Sequence, residues 1–121
     1  MSLPQLNPLI DLICKEKGVS RQIVINGLEK AFVTMARKRT NSYMADFKAE
    51  YSPEEDTIKL LRYKTVVEKV IHPELEMTLA EALNLDPEVE LGDSLGTEVS
   101  TKIFTRNDIM TLGQMVKSGN L

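Results

Sequence analysis

Residues 64–93 read KTVVEKVIHPELEMTLAEALNLDPEVELGD, and the fold turns on how that stretch is parsed. Val66, Val67, Val70 and Ile71 form a β-branched run that suits a mostly buried strand. His72-Pro73 ends it, because proline has no amide hydrogen for a sheet ladder and restricts the residue before it. Thr78 and Glu81 have the spacing of a capping box, in which the hydroxyl accepts the amide three residues on and the carboxylate reaches back. The pattern predicts a short helix from Leu79 to about Asn84, stopped by Asp86-Pro87. An acidic loop then closes at Leu91-Gly92-Asp93.

Toward the N-terminus the periodicity is helical. Asn7-Pro8 is a suitable N-cap and first helical residue, since proline lacks only an amide that would be unpaired there. Leu9, Ile10, Leu12 and Ile13 supply an apolar face, Lys15 and Lys17 suit the last turn, and Gly18 suits a left-handed terminus. Ser20 is placed to cap a second helix whose Val24, Leu28, Ala31 and Met35 recur at helical spacing, joined by Ile25 and Phe32. Gly27 weakens its middle by about 1 kcal/mol relative to alanine. That helix should end near Arg37-Lys38-Arg39-Thr40, and the short Gly18-Val19-Ser20 link predicts an antiparallel helical hairpin.

From Ser42 the period becomes alternating. Tyr43, Ala45, Phe47, Ala49 and Tyr51 point one way, Ser42, Asp46, Lys48 and Glu50 the other, which reads as a strand. Ser52 to Asp56 is a turn, and Thr57 to Tyr63 should return antiparallel with Ile58 and Leu60 on the covered face. Beyond the acidic loop, Leu95 to Ile103 reads as a further strand weakened by Gly96. Thr105 to Asp108 is a second candidate capping box, and Ile109, Leu112, Gly113 and Val116 trace one face of a last helix. The fold class is therefore α+β: a helical hairpin and a short helix packed on a small, mainly antiparallel meander, with a C-terminal exit helix.

Composition narrows the function classes. A chain of 121 residues, 42% hydrophobic and 27% charged, suits one folded domain. The single cysteine, Cys14, excludes an internal disulfide and suits a reducing cytoplasm, and no apolar run approaches the roughly 20 residues of a membrane span. The net charge of −3 argues against a dedicated nucleic-acid binder, but the charge is unevenly spread. Residues 1–70 hold 12 Lys/Arg against 9 Asp/Glu, residues 71–121 hold 3 against 9, so a mildly basic end faces an acidic one. Met1-Ser2-Leu3 carries no structural weight.

The run quoted at the outset resembles the N-terminal domain of the bacterial transcription factor NusA, with its V-V-E-x-V strand, proline, S/T-L-x-E-A helix start and D-P-x-x-x-L-G-D loop. Glu16-Lys17-Gly18-Val19-Ser20-Arg21 ahead of Ile23, Leu28, Glu29 and Ala31 is similar to that family's first hairpin. Phe104 and Arg106, then Thr111 and Gln114, are similar to the start of its exit helix. Two stretches depart from the family. Thr111 to Gln114 places leucine and glycine where alanine and lysine are usual, and Asn41 to Leu61 carries little of its wording. The resemblance implies a single RNA polymerase-binding domain, without the OB-fold and KH domains that follow in the family. It implies docking on RNA polymerase near the flap and near the C-terminal domain of the α polypeptide, contact with the nascent RNA hairpin, and influence on pausing, termination and antitermination. It implies no enzyme activity and no cofactor. A free-standing RNA-binding or ribosome-associated module is the competing reading.

Candidate residues follow from chemistry and from that resemblance. Arg37-Lys38-Arg39 either offsets the dipole at a helix C-terminus or contacts RNA phosphates. Lys102 and Arg106 would extend that basic edge. Met35, Phe104, Met110 and Met115 are candidates for an apolar contact with polymerase, flexible thioethers suiting that task. His72 stands alone before a proline, which leaves no histidine pair for a metal and no near partner for a catalytic dyad. The acidic residues Glu74, Glu76, Glu81, Asp86, Glu88, Glu90 and Asp93 lack calcium-loop spacing and read as a solvated face.

Overall fold

The computed structural model describes residues 6–119; Met1 to Leu3 lie outside them. Among the described residues, four helices and four strands follow one another as α1 (Asn7–Lys17), α2 (Arg21–Thr40), β1 (Asp46–Ser52), β2 (Thr57–Val67), β3 (Glu76–Thr78), α3 (Leu79–Leu85), β4 (Ser94–Val99) and α4 (Arg106–Ser118), with a 3-10 turn at Thr101–Ile103 before α4. The α+β expectation holds.

The helical hairpin forms as its local chemistry requires. Gly18 takes the left-handed conformation and its amide donates to the Cys14 carbonyl at 2.9 Å. Ser20 Oγ accepts from the Ile23 amide and opens α2. Asn7, however, is the first helical residue and not the cap. Leu6 occupies the cap position with no side chain to offer, and the Asn7 amide donates instead to Asp56 Oδ1 at 2.9 Å, a carboxylate 49 residues away in the β1–β2 turn. Tyr51 donates its hydroxyl to the same oxygen at 2.6 Å, so the hairpin tip is tied to the start of α1. Burial, then the hydrogen bond to Asp56 and its charge, push the Tyr51 pKa up to about 12.

β2 is the centre of the sheet. β1 pairs antiparallel along it from Asp46 opposite Tyr63 to Ser52 opposite Thr57, and β4 pairs antiparallel from Leu60 opposite Val99 to Thr65 opposite Ser94. β3 runs parallel to the far end, Thr65 opposite Glu76. The Thr65 amide reaches Leu75 and the Val66 amide reaches Asp93, which puts β3 and β4 on opposite edges.

Three expectations need correction here. Val66 to Ile71 is not a strand of its own: Val66 and Val67 finish β2, and Ile71 is 73% exposed. The Glu76 carboxylate accepts the Ile71 and His72 amides at 2.9 and 2.8 Å and folds residues 68–75 into a tight loop, so a three-residue parallel β3 replaces an antiparallel meander. Those two donors hold the Glu76 carboxyl below the usual carboxylate range. Tyr43 is not part of β1, because Asn41 turns left-handed and the Ser42 amide returns to the Arg37 carbonyl at 3.0 Å. Ser100 ends β4, and the 3-10 turn takes Thr101 to Ile103.

Two apolar cores share β2. The larger joins α1, α2 and α4 to the sheet through Leu6, Ile10, Leu28, Phe32, Phe47, Leu60, Leu112 and their neighbours. The smaller gathers Val66, Met77, Ala82 and Val89 beneath α3. Arg62 stands between them, its guanidinium 5.7 Å from the Phe47 ring centroid and one nitrogen donating to the Glu74 carbonyl at 3.3 Å.

Candidate functional site

α4 is the element that organises both candidate surfaces. Its N-terminus is a complete capping box: Thr105 Oγ1 accepts the Asp108 amide at 3.2 Å, and Asp108 accepts the Thr105 amide at 2.7 Å. The predicted face is the buried one, with Ile109, Leu112, Gly113 and Val116 turned into the larger core. Gly113 lets α1 approach closely, since a β-carbon there would lie 3.0 Å from Leu9 Cδ1.

The three basic residues at the end of α2 have separate tasks. Arg39 donates to both carboxylate oxygens of Asp108 and latches the end of α2 to the start of α4. Burial alone would raise the Asp108 carboxyl, but the Arg39 and Thr105 donors outweigh it and hold it below the usual carboxylate range. Arg37 donates through Nε to the Ala45 carbonyl at 3.4 Å. Lys38 is exposed and makes no ion pair among the described residues. Lys38 and Arg39 rim a cleft between α2 and α4, floored by Met35 and Met115 with Thr34 and Thr111 at its sides. The cations free to meet an anion are therefore Lys38 and the outer nitrogens of Arg37.

Lys102 and Arg106 do not join this edge. Arg106 lies on the other flank of α4, beside Leu9, Ile109 and Met110, because positions 106 and 108 differ by more than half a helical turn. Lys102 lines a separate recess with Lys59, Glu55 and Glu98.

The apolar candidates divide likewise. Phe104 is 6% exposed and meets Phe32 with ring centroids 4.6 Å apart; it is core and not free for a partner. Met35 is also buried, leaving only its edge on the cleft floor. Met115 is half-buried in that cleft. Met110 is 68% exposed and, with Leu9 and Ile109, forms an apolar groove on the α1 flank.

Sequence reading missed the exposed pair Tyr43 and Met44 by assigning Tyr43 to a strand face. The signal that could have found it is Asn41, a residue tolerant of the left-handed conformation directly after a basic helix end. Three of the seven acidic residues pin loops: besides Glu76, Asp86 accepts the Glu88 amide, and Asp93 accepts the Glu90 amide. Among the described residues, no three His, Cys, Asp or Glu side chains are arranged to hold a metal ion, and no helix is long and apolar enough to cross a membrane.

Comparison with known proteins agrees with this architecture. The family model described as the NusA N-terminal domain matches residues 5–119. The transcription termination/antitermination protein NusA of Bacillus subtilis (strain 168) is 31% identical over 112 residues, covering 93% of this chain and 30% of that protein. Its counterpart in Halalkalibacterium halodurans is 32% identical over 102 residues, covering 84% and 26%. That of Rickettsia conorii is 36% identical over 88 residues, covering 72% and 17%. The chain thus spans less than a third of the length of these relatives. The solution structure of the N-terminal domain of NusA from B. subtilis matches with a TM-score of 0.71 at 29% identity, covering 90% of this chain and 87% of that one. With the family model matched from residue 5 to residue 119 and the fold shared, the chain belongs to the NusA N-terminal domain family.

Proposed function

We propose that this domain docks on RNA polymerase beside the opening from which the transcript emerges, touching the flap and the C-terminal domain of the α polypeptide, and so modulates pausing, termination and antitermination. Family membership supports the process. The observation that carries the mode of action is the two-sided exposure of α4: a cation-rimmed cleft on its α2 flank and an apolar groove at Met110 on its α1 flank. One short helix can then sit between a protein surface and a nucleic acid. Lys38 and Arg37 meet phosphates of the RNA hairpin, which adds salt-dependent affinity and little sequence discrimination. Met110, with Leu9, meets the polymerase. The action is positional, with no covalent step, and takes place where transcription does, in the bacterial cytoplasm.

The test is capture of core polymerase, or of its flap element, by the 121-residue chain at micromolar concentration, together with a pausing assay. Met110→Asp should weaken capture about ten-fold or more while leaving the fold intact, since the side chain is solvated. Arg37→Ala with Lys38→Ala should shorten hairpin-dependent pauses, more so at low salt. A chain that shifts RNA yet fails to bind polymerase would instead be a free-standing RNA-binding or ribosome-associated module.

A further inference from the structure

The turn between α2 and β1 presents two large side chains to solvent beside the basic helix end. Tyr43 is 64% and Met44 65% exposed. Isolated exposed apolar residues are ordinary on a protein surface, so exposure alone says little. The turn beneath Tyr43, however, is held at many points. Asn41 is left-handed and its amide donates to the Lys38 carbonyl at 3.3 Å; the Ser42 amide donates to the Arg37 carbonyl at 3.0 Å. Ser42 Oγ donates to the Thr40 carbonyl at 3.3 Å, and the Ala45 amide donates to the Ser42 carbonyl at 3.3 Å. Arg37 closes the far side through its Nε bond to the Ala45 carbonyl. A phenol ring is thus carried on a hydrogen-bonded turn whose amides return to the Arg37 and Lys38 carbonyls, with the Arg37 side chain closing the turn and Lys38 at the rim of the α2–α4 cleft.

A solvent-exposed aromatic ring on a fixed turn, a few residues along the chain from basic side chains, suits unpaired nucleotides, the ring stacking on a base and the cations tracking the phosphates. A base inside a duplex offers no free face to such a ring. The local charges favour a polyanion: Arg39 is paired with Asp108, while Arg37 and Lys38 make no ion pair among the described residues, Asp46 being the exposed carboxylate nearest to Tyr43 along the chain. We propose that Tyr43, Arg37 and Lys38 form a site for one unpaired nucleotide of single-stranded RNA, with the Tyr43 ring as its stacking platform. This deepens the reading that the basic end meets RNA, and it rests on that reading.

The experiment measures binding of the 121-residue chain to a fluorescently labelled, mixed-sequence single-stranded RNA and to a blunt RNA duplex of the same length, across a salt series. Tyr43→Ala should weaken single-strand binding about ten-fold. It should leave duplex binding within about two-fold and the salt slope unchanged, because no phosphate contact is lost. Tyr43→Phe should restore binding. Arg37→Ala with Lys38→Ala should weaken both RNAs and flatten the slope. If that charge variant weakens RNA binding but Tyr43→Ala does not, the phosphate contact stands and the stacking site is wrong. Equal losses on single strand and duplex, or no rescue by phenylalanine, would also overturn the stacking site. If neither RNA binds, both readings fall. If Tyr43→Ala reduces capture of core polymerase and leaves RNA binding intact, the ring is a protein contact and the proposal is lost.

Discussion

Asp56 illustrates how much a single side chain can be asked to do. It sits at φ 52°, a conformation that aspartate tolerates better than most residues, and accepts hydrogen bonds from the Asn7 amide and the Tyr51 hydroxyl. It caps a helix to which it does not belong. Asp56→Gly keeps the backbone relaxed and removes the cap, so it should cost about 1 kcal/mol in urea unfolding, while Asp56→Asn should cost less. Asp108 has a comparable double role, closing its own capping box and holding Arg39. Its folded carboxyl is depressed below the unfolded value of about 3.9, so its contribution is fully present above that value. It is lost as pH falls through the lower folded value. Arg39 is nearly half exposed, so solvent screening keeps the ion pair below about 1 kcal/mol. Stability measured for the wild type and for Asp108→Asn should differ by a constant amount above about pH 5 and converge below about pH 4.

At the scale of elements, the local signals were read correctly where the chain acts on its near neighbours. Ser20 caps α2, Gly18 ends α1, Thr105 and Asp108 close their box, and the four predicted residues of α4 are buried. Thr78 caps α3 by accepting the Glu81 amide, but among the described hydrogen bonds the Glu81 carboxylate does not reach back, so only half of the expected capping box forms. The failures fall where distant partners or a local turn override propensity: Asp56 takes the capping role expected of Asn7, and the left-handed Asn41 removes Tyr43 from β1. Val70 and Ile71 have strand-forming side chains, but β2 loses its neighbour there because the chain turns to lay β3 beside Thr65. The close approach of α1 and α4 at Gly113 gives a direct test of helix packing. Gly113→Ala gains about 1 kcal/mol of helix propensity and must displace Leu9, so the two should nearly cancel. In a Leu9→Ala background the obstruction is gone. Gly113→Ala should then stabilise the protein by close to the full propensity gain, and a double-mutant cycle that shows no coupling would refute the contact.

The whole molecule behaves as two apolar cores strung on one strand. The larger holds three helices against the sheet, and the smaller contains only Val66, Met77, Ala82 and Val89 with Leu79 and Leu95 at its margin. The smaller should open first. Met77→Ala should lower amide-exchange protection across residues 65–93 while α2 and α4 keep theirs. A uniform loss in all helices would mean that the two cores unfold as one. The candidate site shows the same split between local and global information. Arg37, Lys38 and Arg39 were identifiable as a basic helix end. Which of them is free, and that Arg106 lies on the opposite flank of α4, depended on contacts such as Arg39 to Asp108, 69 residues apart. The burial of Phe104 against Phe32 was equally hidden, since a residue between a 3-10 turn and a helix carries no periodicity to declare its face.

By itself the amino-acid sequence determined the helices, the caps at Gly18, Ser20, Thr78 and Thr105, the apolar face of α4 and the alternation of β1. Each of these rests on interactions among residues a few positions apart, where backbone geometry and side-chain type leave few choices. Only the tertiary structure decided the parallel placement of β3, the cap that Asp56 lends to α1, the latch between Arg39 and Asp108 and the exposure of Tyr43. Those depend on which distant groups the packed cores bring within hydrogen-bonding reach, and no local pattern of residues encodes that distance.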